Sequence, residues 1–188
     1  MLRRIVTLSA LALGGALLAK QIQKSRRGAN PSEVKESIEV DLPVRAVYNQ
    51  WTQFEEFPKF MDSVHEVRQL DDKRLHWKAD VFGKPIEWDA AITEQIPDQK
   101  IAWQSTSGTP NGGVVQFKQL GNARTRVILT LNYTPEDAVE AIGDAMGAVR
   151  MQARGNLQRF KEMLEQRGHE TGAWRGTIGE HAGTQAHH

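Results

Sequence analysis

From Thr134 to Gly168 the sequence describes one long helix, and that helix dictates what the rest of the chain must supply. Thr134 is a good N-cap, Pro135 suits the first helical position, and Asp137 adds negative charge to the first turn. Gly168 after Arg167 is the stop signal. Between them Ile142, Met146, Val149, Ala153, Leu157, Phe160 and Leu164 recur every three or four residues. That spacing makes one continuous apolar seam on a helix of about 3.6 residues per turn. Such a seam has to lie against apolar surface, and the alternating segments before it are the available source. Gly143, Gly147 and Gly155 fall inside the helix, each at about 1 kcal/mol relative to alanine. They mark either a close-packing edge or a bend that opens the helix start over a cavity.

The segments before the helix read as strands. Val34, Ile38, Val40 and Leu42 share one face, with Lys35, Ser37, Glu39 and Asp41 on the other. Asp41 and Pro43 open a short helix to Trp51, whose apolar side is Val44, Val47, Tyr48 and Trp51. A second helical turn around 54–60 is interrupted by Pro58, and Phe54, Phe57 and Phe60 beside Trp51 cap one end of the core. Six further strands follow at roughly 63–70, 74–82, 85–95, 100–106, 113–120 and 123–133. Asp71-Asp72, Gly83, Pro97-Asp98, Gly108 to Gly113 and Gly121-Asn122 punctuate them. Links this short make the strands antiparallel neighbours.

Charge is distributed unevenly. The net is +1, but residues 1–31 hold Arg3, Arg4, Lys20, Lys24, Arg26 and Arg27 and no acid. Taking those six from 24 bases leaves 18 against 23 acids, a formal −5 for the remainder. A nucleic-acid binder would carry its positive charge on the folded domain, so that class is excluded. The positive charge instead flanks an apolar leader, residues 5–19. Its length suits a signal-peptide core of about 7–15 residues, yet the bases directly after it suit an uncleaved anchor. Fifteen helical residues span roughly 22 Å, short of a hydrocarbon core of roughly 30 Å. Extension to Ile22 with Lys20 snorkelling narrows that gap. A buried helix is the third reading. With an anchor, the excess of bases after the segment keeps the domain cytoplasmic. The expected organisation is an anchor helix at 1–24, a linker at 25–32, a domain at 33–168 and a disordered tail at 169–188.

The stretches SIEVDLPVRAVYNQWTQFEEFPKFM (37–61), WDAAITEQIPDQKIAWQS (88–105) and GVVQFKQLGNARTRVILTLNY (113–133), with the terminal helix, resemble the START/Bet v 1-like (SRPBCC) superfamily. The similarity is strongest to bacterial polyketide cyclase/dehydrase or coenzyme Q-binding-like proteins. It implies an α+β helix-grip fold: a seven-stranded antiparallel sheet wrapped around a long C-terminal helix, with two short helices after the first strand. It spans about 32–168 and speaks less to activity, because the superfamily mixes lipid carriers, hydrophobic-ligand binders and enzymes.

Strand parity speaks to chemistry, because successive side chains point to opposite faces. The apolar parity places Leu75, Trp77, Ala79, Val81, Ile86, Trp88, Ala90, Ile92, Ile101, Trp103 and Ser105 toward the helix. Val115, Phe117, Val127, Leu129, Leu131 and Tyr133 continue that face. His76, Lys78, Asp80, Glu87, Asp89, Gln116, Lys118, Arg124 and Arg126 take the other, while the parity of Glu66 and Arg68 stays open. The expected ligand-binding set is therefore Trp77, Trp88, Trp103, Phe117, Leu129, Leu131 and Tyr133 on the sheet with Met146, Val149 and Ala153 on the helix. Small residues at 79, 90 and 153 leave volume between the large rings. Plain core packing explains the same residues.

Other chemistries find no support. Absent cysteine excludes disulfides, thiolate metal sites and cysteine nucleophiles. The Gly108–Gly113 loop lacks the Lys and Ser/Thr of a phosphate-binding loop, and the six histidines have no ligand spacing, so neither a metal nor a cofactor is expected. The reading is a membrane-tethered binder, or transporter, of a hydrophobic small molecule or lipid. A cyclase/dehydratase acting on a polyketide-like substrate through Tyr133, Ser105 and Glu66 or Arg68 is one rival. A ligand-free structural or stress protein at the membrane is the other.

Overall fold

The apolar seam meets its sheet in a computed structural model of the protein. It describes residues 32–81, 83–133 and 142–179, without the side chains of Ser32, Val81, Tyr133 and 142–145. The expected anchor at 1–24, the linker up to Pro31, the tail beyond Gly179 and the phenol of Tyr133 lie outside the described residues.

Seven strands form one sheet: β1 (Ser32–Val40), β2 (Val64–Gln69), β3 (Arg74–Val81), β4 (Lys84–Ile96), β5 (Lys100–Gly108), β6 (Asn111–Gly121) and β7 (Arg124–Tyr133). Their spatial order is β1-β7-β6-β5-β4-β3-β2, and every neighbouring pair is antiparallel. Helix α1 (Val44–Trp51) and a 3-10 helix (Phe54–Lys59) stand between β1 and β2; the long helix α2 (Ile142–Arg167) follows β7. This is the helix-grip arrangement, an α+β fold. Tight turns hold it in register. Asp98, in the β4–β5 turn, has φ 62, a left-handed conformation that aspartate tolerates. Gly168, at φ 78, ends α2 by returning its N–H to Leu164 O at 2.8 Å.

The second half of the seam is the centre of the core. Ala153, Leu157, Phe160 and Leu164 are all buried. Phe160 meets Trp51 edge-on at 4.9 Å and Phe60 at 5.2 Å, and Trp51 meets Phe57 at 5.6 Å and Phe117 at 6.2 Å. Rings of this size bury much of the apolar area, and each edge-on pair adds about 0.5–1.5 kcal/mol. This half of the space beneath α2 is full. At Gly147 a built Cβ meets nothing within 4 Å among the described residues, so none of them packs closely there.

Of the four register shifts among the described residues of the sheet, two decide where the polar groups of β4 and β2 point. One lies between Ile92 and Glu94 in β4, after which Gln95 pairs with Ile101 and turns inward. The other lies between Val64 and Glu66 in β2, so that Glu66 pairs with Lys78 and Arg68 with His76, both on the outer face.

The expectation of a disordered tail from residue 169 is corrected for residues 169–179, which lie against the domain. The C-terminal end of α1 carries buried polar side chains, and this segment satisfies them. Gln50, fully buried, accepts at Oε1 from Arg167 at 3.1 Å and from the Thr171 N–H at 3.0 Å. Asn49 donates to Glu170 at 2.9 Å, and the Trp174 N–H donates to Thr52 Oγ1 at 3.0 Å. Arg175 forks onto Asp98 at 2.9 and 2.7 Å. Buried Ile178 exchanges both backbone hydrogen bonds with Gln95, at 2.9 and 3.0 Å, beside the part of β4 that outruns β3.

Candidate functional site

Residues directly opposite in an antiparallel ladder share a face, so the register lays out the inner wall as cross-strand rows. Val34, Leu131, Gly113, Trp103 and Ile92 form one. Glu36, Leu129, Val115, Ile101 and Gln95 form the next. Trp88 and Trp77 stand opposite each other further along, stacked at 5.5 Å and 9°. The three expected tryptophans thus point inward, with His76, Glu87 and Asp89 on the opposite parity.

The expected ligand-binding residues divide by burial. Phe117, Leu129 and Ala153 are sealed in the core, while Trp77, Trp88, Trp103 and Leu131 pack against that core but remain half-buried. Val149 and Met146, one and two turns before Ala153, are also half-buried. Trp103 lies across Gly113, where an added Cβ would come within 2.6 Å of its ring. Trp77 meets Phe57 edge-on at 5.7 Å, and its indole Nε1 is enclosed with no protein hydrogen-bond partner among the described residues. A buried donor left so costs about 1–3 kcal/mol.

Polar groups enter this wall at its two margins. At the β4 margin, Gln95 donates to the Tyr48 hydroxyl at 2.9 Å, and burial pushes the Tyr48 phenol above its ordinary value. At the β1 margin stands Glu36, which shares the parity of Val34, Ile38 and Val40 and so puts a carboxylate on the face that the strand reading gave to apolar residues. Its side chain is only 11% exposed and faces Arg154 Nε at 3.2 Å and Arg150 Nε at 3.5 Å, from successive turns of α2. Beside it a cleft of about 360 Å³ is lined by Glu36, Ser37, Ile38, Arg154, Leu157 and Gln158. Ser105, the inward hydroxyl named from the sequence, accepts from the Asn111 N–H at 3.0 Å and is spent on its own hairpin.

The outer face carries the remaining ionisable groups. His76 and Ser107 both bond Asp89, at 2.8 and 2.9 Å; these bonds, His76 first, hold its carboxyl below the ordinary range. The serine hydroxyl therefore points to the carboxylate and not to the imidazole, which is not an arrangement that activates a nucleophile. Glu66 lies 3.5 Å from Lys78 and 3.6 Å from Arg68 on the same outer face, so neither Glu66 nor Arg68 reaches the inner wall. Among the described residues no cluster of three or more His, Asp or Glu could hold a metal ion.

Residues 40–162 match the family described as polyketide cyclase/dehydrase and lipid transport. An uncharacterised 17.2 kDa protein of Streptomyces lincolnensis is 47% identical over 148 residues, which cover 78% of this chain and 99% of that one. The Zhui aromatase/cyclase from Streptomyces sp. R1128 superposes with a TM-score of 0.63 at 15% identity, over 77% of this chain and 100% of its own. A START superfamily protein from Mycobacterium smegmatis does so with a TM-score of 0.58 at 17% identity, over 72% and 95%. At those identities the two structures share the fold.

Proposed function

The chain belongs to the polyketide cyclase/dehydrase and lipid transport family, within the START/Bet v 1-like superfamily, and on that premise we propose that it binds an apolar small molecule between the sheet and the first half of α2. One observation carries the reading. Trp77, Trp88 and Trp103 point inward yet stay half-buried, while the same wall is sealed wherever the second half of α2 covers it. Burying the open parts of such rings against a ligand is favourable by about 25 cal/mol per Å². Met146 and Val149 on the facing helix offer the opposite wall. Residues 5–22 would tether the domain to a membrane, on its cytoplasmic side, beside a store of apolar molecules; among the described residues no helix is long and apolar enough to cross one.

The enzymatic rival gains one inward carboxylate, Glu36. Both of its oxygens already face guanidiniums, so we assign it to binding rather than to proton transfer. The test uses the intact chain in an uncharged detergent. Organic extraction should release about one apolar molecule per chain, and the neutral quencher 11-bromoundecan-1-ol should suppress tryptophan emission saturably. A bare protein whose emission ignores the quencher rejects the reading.

A further inference from the structure

Glu36 interrupts the apolar wall where β1 meets α2, and the way it is paired is unusual. Two guanidiniums one helical turn apart converge on one carboxylate, leaving an excess of one positive charge. The nearest approach of each is through Nε, at 3.5 Å for Arg150 and 3.2 Å for Arg154, longer than the about 2.7–2.9 Å of a tight charged contact. The two arginines are 57% and 73% exposed, so their terminal amino groups are open to an additional acceptor. Arg154 also lines the cleft of about 360 Å³, together with Glu36, Ser37, Ile38, Leu157 and Gln158; of its two apolar side chains Leu157 is buried and Ile38 half-buried, and the Gln158 amide donates to Glu162 at 2.7 Å. Small-molecule sites begin at about 300 Å³.

We propose that this cleft takes the anionic end of an amphipathic ligand, a carboxylate or phosphate held by Arg154 and Arg150, with the first part of its hydrocarbon laid on the half-buried Ile38. The proposal rests on the apolar-binding reading above and narrows it to an apolar molecule with one anionic head. A cationic head would meet the positive excess, and a neutral head would gain nothing from it. Glu36 competes with the ligand for the same two guanidiniums, which gives the site a signature: removing that carboxylate's charge strengthens binding.

The intact chain in dodecyl maltoside is titrated with octanoate, octyl phosphate, octan-1-ol and inorganic phosphate. Arginine Nε–Hε resonances report the cleft, and tryptophan emission reports the wall. Octanoate or octyl phosphate should shift the Arg150 and Arg154 resonances saturably and bind about tenfold more tightly than octan-1-ol. Glu36→Gln should tighten the anions, and Arg154→Gln should weaken them about tenfold while leaving octan-1-ol unchanged, each variant keeping the parent amide spectrum. Equal affinity for octanoate and octan-1-ol with both perturbing tryptophan overturns the anionic head and leaves the apolar site standing. Unmoved arginine resonances, or weaker octanoate binding by Glu36→Gln, overturn it as well. Inorganic phosphate binding as tightly as octyl phosphate overturns the amphipathic ligand. Indifference of tryptophan to every probe overturns the apolar site, and this proposal with it.

Discussion

Trp103 rests on Gly113 because β6 offers it no side chain there. A Cβ at Gly113 would also lie 2.6 Å from the Thr130 carbonyl oxygen, a backbone atom that cannot swing away. Gly113→Ala should therefore destabilise the protein by about 1–3 kcal/mol through overpacking, read as a lower urea midpoint at unchanged slope. Trp103→Ala should behave differently. A sealed tryptophan loses about 3–5 kcal/mol on truncation. This half-buried ring should lose roughly half of that in urea unfolding, and the variant should also lose the saturable quenching by 11-bromoundecan-1-ol. A loss at the full core value with quenching intact would make the ring plain packing. The inward set of tryptophans was legible because Trp77, Trp88 and Trp103 alternate cleanly with His76, Glu87 and Gln104. Gln95 was not, since the register shift after Ile92 turns it inward against simple alternation. Glu36 follows the alternation of Val34, Ile38 and Val40; its charge disguises its parity, because an inward carboxylate makes sense only once Arg150 and Arg154 on α2 are known to face it.

Among the elements, α2 and the segment after it divide the work. The second half of α2 holds the aromatic core, and the first half leaves the wall open. The helix over Ile142–Arg167, its seam and its glycine stop could be read in advance, because a 3.6-residue period needs no tertiary information, while its expected start at Thr134 lies outside the described residues. The docking of 169–179 could not, because what orders a polar segment is a set of buried amides more than a hundred residues away, Asn49 and Gln50. Ending the chain at Gly168 would strand the Asn49 amide, leave Gln50 Oε1 with Arg167 alone and uncover Ile178's contact, and should cost about 2–4 kcal/mol in urea unfolding. The attachment should also depend on pH. The Asn49 hydrogen bond, and then Glu170's own backbone, hold the Glu170 carboxyl below its ordinary 4.5. Its contribution to docking is present above that ordinary value and is lost as pH falls through the depressed one. Glu56 moves in the same direction: burial opposes its ionisation, but bonds from Lys59 and Gln50 with the charge of Arg167 outweigh it. Proteolysis within 169–179 should therefore accelerate as the pH falls below the ordinary carboxylate range and before the core unfolds; a segment equally protected in acid and at neutrality would contradict this.

At the scale of the whole molecule, the buried core draws on residues 34 to 178, from Val34 at one sheet edge to Ile178 beside β4. One end of that core is closed by the chain's own segments, α1 and the 3-10 helix, with residues 169–179 over the polar end of α1. The leader at 1–27 differs in charge from the rest: six bases and no acid, against a formal −5 for the residues that follow. Deleting 1–27 should leave a folded chain whose melting temperature stays within about 1 °C of the parent, under the shift of about 2–4 °C that a 1 kcal/mol loss produces in a domain of roughly 150 residues. Its net negative charge should keep it dispersed without detergent. The intact chain should sediment with membranes and resist carbonate extraction, while the shortened one should not. Aggregation of the shortened chain would place the leader in the core, and a freely soluble intact chain would remove the tether. The ligand titrations separate these outcomes from the site itself, because Trp77, Trp88, Trp103 and the Glu36 cluster all lie downstream of the deletion and should bind with unchanged affinity in both chains.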